Sequence, residues 1–280
     1  MWSWKWRHSL NALTILVVAI LLSACSTYKP SYIHSPTFKE KGELYFEANT
    51  GSLFGANIAY SPLNHFFALA EVSGTLPLEE SSDSASFVNQ NDQLVSEVVY
   101  ENWQASAALG AYWQYNDELY QSISVGIGNG VGSGRPFNVE FDIFLDDPDL
   151  QAIEGSYNVY YLQSSLQYYF TENQSISFNG RINYLNYYDF RYIYGGPFSG
   201  FNPNTLFLPP ASEINSLLRY KERVVFQLGV TAHYELDFVK FYGQFQLSLQ
   251  DTYAEDFFRA RRYNLFIGVA VPVHKLWRAN

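Results

Sequence analysis

Apolar and polar positions alternate with a period of two along most of this chain, and no segment after residue 24 keeps a long 3.6-residue period. From Phe226 to Tyr234, Phe226, Leu228, Val230, Ala232 and Tyr234 share one face, and Gln227, Gly229, Thr231 and His233 share the other. Residues 237–250, 175–187 and 102–115 repeat the pattern. There, Phe245 and Leu247 oppose Gln244 and Gln246, Phe178 and Ile182 oppose Asn179 and Arg181, and Trp103 and Leu109 oppose Gln104 and Ser106. The alternation predicts about ten strands, with eight as the lower bound: 42–49, 54–60, 65–74, 98–114, 118–130, 156–170, 174–188, 222–235, 238–251 and 261–273. Tight connections at 61–64, 115–117, 171–173 and 236–237 alternate with longer ones at 50–53, 75–97, 131–155, 189–221 and 252–260.

Short and long connections in strict alternation place all short turns at one end of an up-and-down meander and all long loops at the other. The expected fold is therefore all-β: a closed antiparallel up-and-down β-barrel of transmembrane type, with short periplasmic turns and long outer loops. Its apolar face would meet lipid and its polar face the interior. A soluble barrel would invert that sense, and alternation alone does not say which way a face points. The polar faces are rich in Gln, Asn, Ser, Thr and Gly rather than Lys and Glu, as an enclosed interior requires. Aromatic residues gather at strand ends, among them Trp113, Tyr115, Tyr168, Tyr169, Phe170, Tyr187, Tyr188, Tyr234 and Phe238, as in interfacial girdles.

The first 24 residues stand apart. Lys5 and Arg7 precede a mainly apolar stretch from Leu10 to Leu22, too short for a membrane-spanning helix but suited to a signal peptide. Leu22-Ser23-Ala24-Cys25 resembles the bacterial lipobox, and Cys25 is the only Cys of the chain. The resemblance implies cleavage before Cys25 and lipidation of Cys25 as the new N-terminus. The expected organisation is a lipoprotein signal peptide at 1–24, a lipid-anchored tether at 25–41, a single barrel at 42–274 and a tail at 275–280. Pro30 and Pro36 make the tether read as extended and leading away from the anchor. An even strand number puts both termini on the periplasmic side.

Cys25-Ser26-Thr27-Tyr28-Lys29-Pro30, Phe38-Lys39-Glu40-Lys41-Gly42-Glu43 and Ala59-Tyr60-Ser61-Pro62-Leu63-Asn64-His65 resemble the opening of outer-membrane β-barrel lipoproteins of Bacteroidetes-type bacteria. The motif similarity covers the first 70 or so residues; the remainder follows only by hairpin pattern. The resemblance implies an outer-membrane barrel without an established activity. One departure is the C-terminus, which ends in Trp277-Arg278-Ala279-Asn280 rather than in an aromatic residue.

Charge and composition narrow the chemistry. The chain carries a net charge of −10, and removing residues 1–24 with Lys5 and Arg7 leaves 15 basic against 27 acidic residues, or −12. That excludes a general nucleic-acid binder. A single Cys excludes an intramolecular disulfide and a Cys-based zinc site. No cofactor and no catalytic residue are expected. The mature histidines, His34, His65, His233 and His274, lie in the tether, at periplasmic strand ends or after the last strand, away from the outer loops where a lipid- or peptide-cleaving base would sit. His65 and His233 could meet at the periplasmic rim, but two histidines make a weak metal site. The alternate glycines from Gly126 to Gly134 fall on one strand face and leave room for bulky residues such as Tyr112 or Tyr161. Asp142, Asp146, Asp147 and Asp149 form an acidic loop that is a weak calcium candidate without EF-hand spacing.

Basic residues segregate near the outer ends of the last strands: Arg191, Arg219, Lys221, Arg223, Arg259, Arg261 and Arg262. Arg219, Arg223, Arg259, Arg261 and Arg262 are candidates for binding lipid phosphate, with lipopolysaccharide in the outer membrane as the partner. Pairing with Glu213, Glu222, Glu255 and Asp256 is the competing explanation. The functional expectation is a lipid-anchored outer-membrane barrel with a structural or binding role. The alternatives are a periplasmic lipoprotein barrel carrying an apolar ligand, and a histidine-independent surface enzyme. The directions of Phe226, Leu228, Phe245 and Leu247 separate the first two. Arg181, on the polar face, requires a carboxylate partner if that face is buried, with Glu43, Glu47 and Glu71 available.

Overall fold

The computed structural model describes residues 28–34, 36–51, 53–75, 84–88, 94–99, 102–134, 150–194, 221–250 and 263–278. Ten antiparallel strands close into one barrel: β1 (Leu44–Gly51), β2 (Phe54–Leu63), β3 (Phe66–Gly74), β6 (Asn102–Gln114), β7 (Leu119–Gly134), β8 (Leu150–Thr171), β9 (Gln174–Tyr194), β10 (Glu222–Glu235), β11 (Lys240–Gln250) and β12 (Tyr263–Pro272). Each pairs with its sequence neighbour in the wall, and β1 closes on β12 from Tyr45↔Pro272 to Gly51↔Phe266. The order is an up-and-down meander of ten strands, as the alternation predicts.

Two elements lie outside that reading. The connection expected at 75–97 contains a separate hairpin, β4 (Ser84–Val88) with β5 (Leu94–Val99). After β12 the chain forms a short helix, α1 (Val273–Arg278), where a strand end and a tail were expected. Pro272 has no N–H for a ladder, so the strand ends there. The first of the longer connections is also shorter than expected, since β1 ends at Gly51 and β2 begins at Phe54. The short turns still share one end with Leu44 and Pro272, and the connections 75–101, 135–149, 195–221 and 251–262 join the strands at the other.

The wall is inverted relative to a soluble protein. Leu109 is 69% exposed, Val125 60%, Ile267 58% and Leu228 56%, while Gln244, Gln246, Asn183 and Thr231 are completely buried. Phe226 and Phe245 are exposed, and Leu247 alternates with buried Gln246 and Ser248, so all four test residues point outward. Apolar surface on this scale, continuous around the wall, is not tolerated in water. It fits a hydrocarbon solvent, where a closed barrel leaves no unpaired sheet edge. Inward-facing positions of these strands are mostly polar, and the apolar ones, such as Phe67, Val159, Leu185, Val225 and Phe266, cluster with Tyr28, Tyr32 and Phe38. At the short-turn end Trp113, Tyr115, Tyr168, Phe170, Tyr234 and Phe238 are exposed, forming a girdle. Tyr169 and Tyr187, grouped with the girdles on sequence, point inward instead because each alternates with an outward neighbour.

Candidate functional site in the barrel lumen

The residues expected to tether the barrel fill it. Tyr28, Ser31, Tyr32, Ile33, His34 and Phe38 are all buried, Ile33, His34 and Phe38 completely. This corrects the expectation of an extended linker leading away from the anchor. The physical reason is in the segment's own composition: Tyr28, Tyr32, Ile33 and Phe38 are too apolar for a solvated linker, and the lumen buries them.

The contacts form a ladder along the lumen. At the short-turn end Phe38 packs 5.5 Å from Phe67, 5.4 Å from Tyr112 and 5.5 Å from Tyr45, centroid to centroid. Thr37 Oγ1 donates to Gln167 Oε1 at 2.6 Å. His34 pairs with Glu47 through Nδ1, and its carbonyl accepts from Gln163 Nε2 at 2.5 Å. The single Gln244 side chain serves both backbone groups of Ile33, accepting from its N–H at 3.1 Å and donating to its C=O at 3.0 Å. That mimics strand pairing and settles two groups that would be costly to bury alone. Tyr32 stacks on Tyr242 at 4.8 Å and meets Phe266 edge-on at 6.0 Å. Ser31 accepts from Arg181 Nη1 at 3.0 Å. Tyr28 lies edge-on to Tyr157 at 5.6 Å, and its hydroxyl accepts from Gln227 Nε2 at 3.4 Å.

Arg181 is the centre of the lumen. Its Nη1 and Nη2 bind Glu71 Oε1 and Oε2, both at 3.1 Å, its Nε donates to Gln163 Oε1 at 2.8 Å, and its guanidinium lies 4.4 Å over the Tyr161 ring. Ser106 Oγ donates to Glu71 at 2.8 Å. The partner that burial demanded of Arg181 is thus Glu71 from among the three carboxylates available. Tyr161 reaches this position because Gly126 across the ladder has no Cβ; one built there would collide with the Tyr161 ring. Gly130 makes room for Tyr157 in the same way. Those contacts account for Gly126 and Gly130; Gly128 instead lies against Ala105 and Ser106, and Tyr112 faces Ser122 rather than this glycine row.

At the short-turn rim the chain reverses between plug and wall. Gly42 adopts φ 84, a conformation that favours glycine, and its N–H donates to the Ser61 carbonyl at 2.7 Å. Glu43 accepts from the Lys39 N–H at 2.8 Å and lies 3.8 Å from His274 of α1. Burial pushes the Glu43 carboxyl above its ordinary value, against the opposing pull of that N–H and of His274.

His65 Nδ1 lies 3.2 Å from the Tyr112 carbonyl oxygen and His233 Nε2 3.0 Å from Ser177 Oγ, so the two histidines do not meet. Ser177 and His233 have the distance of a nucleophile and its base. Both are buried, and Asn179 donates to the same Ser177 oxygen at 3.3 Å. They act as polar packing. Among the described residues no group of three or more His, Cys, Asp and Glu could hold a metal ion. Arg223 is 8% exposed and faces the lumen, alternating with the outward Phe226 side of β10, which removes it from any lipid-facing set. Cys25, Arg219, Arg259, Arg261 and Arg262, and the acidic residues Asp142, Asp146, Asp147 and Asp149, lie outside the described residues.

No protein-family model matches this chain, and no curated protein does. Among solved structures, it is similar to the N-terminal β-barrel domain of Pseudomonas aeruginosa OprF, with 10% identity and a TM-score of 0.32 over 83% of this chain and 98% of that one. It is also similar to the KdgM porin, with 10% identity and a TM-score of 0.30 over 82% of this chain and 98% of that one. A third is the Pseudomonas putida toluene transporter TodX, with 8% identity and a TM-score of 0.36 over 89% of this chain and 95% of that one.

Proposed function

We propose that this chain is an outer-membrane β-barrel lipoprotein, anchored through Cys25, whose lumen is closed by its own N-terminal segment. It works as a membrane-embedded scaffold that presents its long loops, and not as a pore. The observation that carries this reading is the ladder from Phe38 to Tyr28, which occupies the path a solute would take. The apolar outer wall supports membrane integration without help from the lipid, and the Leu22-Ser23-Ala24-Cys25 motif supports the lipid as a second anchor. Ten-stranded barrels have interiors that side chains can fill, which agrees with closure.

Fractionation and conductance test the reading. Cys25→Ser should lose acylation and still partition with outer membranes, because the wall is its own anchor. Release as a soluble protein would refute membrane integration. The purified wild-type barrel in planar bilayers should give no persistent conductance; a stable open channel would refute closure. Arg259, Arg261 and Arg262 remain our candidates for outer-leaflet phosphate, and their joint neutralisation should reduce co-purifying lipopolysaccharide.

A further inference from the structure

We infer that the barrel threads its own N-terminal segment from the short-turn end to the long-loop end, so that Cys25 carries its lipid at the cell-surface side of the membrane. The inference rests on the proposed lipidation and on the outer-membrane orientation, and it reverses the periplasmic anchor expected from strand parity.

The direction of the segment is fixed by where its partners sit on their strands. Phe38 touches Phe67, beside the start of β3, and Tyr112, near the end of β6, both next to short turns. Thr37 follows with Gln167, near the short-turn end of β8. Ile33 is held by Gln244, inside β11, and Ser31 by Arg181, well along β9. Tyr28 reaches Tyr157, which lies far up β8 toward its Leu150 end. Successive residues toward the N-terminus therefore climb from the short turns toward the long loops. Tyr157, Tyr187, Val159 and Leu185 form the apolar surroundings at that upper level.

Chain length then decides where Cys25 can be. Its three residue steps from Tyr28 span at most about 11 Å. Returning to the short-turn end would mean retracing the ten steps from Tyr28 to Phe38, up to about 36 Å when extended. Three residues cannot do that. Nor can they leave sideways, because β1–β12 pairing completes the wall. The short-turn mouth is already filled by Phe38 with Phe67, Tyr112 and Tyr45. The chain that precedes Tyr28 leaves through the long-loop mouth, which faces outward in barrels of this type.

Two tagged forms of the full-length lipoprotein test the inference, one with a short epitope inserted between Ser26 and Thr27, the other between the exposed Asn116 and Asp117 of the β6–β7 turn. Antibody binding is compared on intact and permeabilised cells. The 26/27 tag should bind on intact cells, and the 116/117 tag only after permeabilisation. Both tags on the same side, or the 26/27 tag hidden until permeabilisation, would overturn the inference. Incorporation of a clickable palmitate analogue, lost in Cys25→Ser, reads the lipidation separately. Absence of label in an untagged chain would refute the lipid anchor while leaving the tag result to judge the threading.

Discussion

Arg181 on β9 reaches Glu71 on β3 through two parallel 3.1 Å bonds across a lumen in which β8, β7 and β6 separate the two strands along the wall. Both side chains are buried, so the pair ties opposite walls together and also holds Ser31 of the plug. Arg181→Met leaves Glu71 as an uncompensated buried charge and should cost about 3–5 kcal/mol. Adding Glu71→Gln should recover most of that loss. Urea unfolding in detergent micelles would measure both, and a double variant as weak as the single one would show that the pair is not what the lumen depends on.

Gln244 holds the plug by its backbone. Gln244→Leu strips the Ile33 N–H and C=O of their partners, at about 1–3 kcal/mol for each group left buried without one. The expected result is earlier chymotrypsin cleavage after Tyr32 with the wall still resistant, read by mass spectrometry of timed digests.

The Gly126–Tyr161 contact predicts a strongly non-additive pair. Gly126→Ala should push the Tyr161 ring from beneath Arg181 and cost about 1–3 kcal/mol, the range for overpacking. With Tyr161→Leu already present, the same alanine should cost much less, and a double-mutant cycle measures the difference.

The outward face of β10 tests the solvent of the wall. Leu228→Lys would be nearly neutral on a protein surface in water. At the middle of a bilayer it should cost about 2–4 kcal/mol, seen as reduced folding yield into lipid vesicles by the heat-dependent shift in gel migration. Unchanged folding would argue against a lipid-facing wall.

Glu43 contributes a pH dependence of definite sign. Burial raises its carboxyl from 4.5, so the folded barrel holds that proton more tightly than the unfolded chain does. Its stabilising contribution is complete below pH 4.5 and is lost as pH rises through the raised value. Glu43→Gln can still accept from the Lys39 N–H, and should remove this slope from a plot of thermal midpoint against pH.

The wall was legible in the sequence because a strand's side-chain period is local: Phe226 and Gln227 must face opposite ways whatever else the chain does. That period yielded all ten strands, the glycine face and the need of Arg181 for a carboxylate. The short helix at Val273–Arg278 and the β4–β5 hairpin were missed because neither is long enough to impose a period of its own.

What alternation leaves open is direction, and tertiary closure decided it. Whether Leu228 meets lipid and Gln244 the lumen depends on which way the sheet curls, a property of ten strands together. The plug lay beyond sequence reasoning for a related reason. Residues 28–38 have no strand period, and their apolar side chains say only that they need burial, not where. Only a closed barrel that brings Gln163, Arg181 and Gln244, from three separate strands, around one axis makes a place for them. Arg223 shows the same division: a basic residue near a strand end could serve a lipid phosphate or the lumen, and one step of register along β10 chose the lumen.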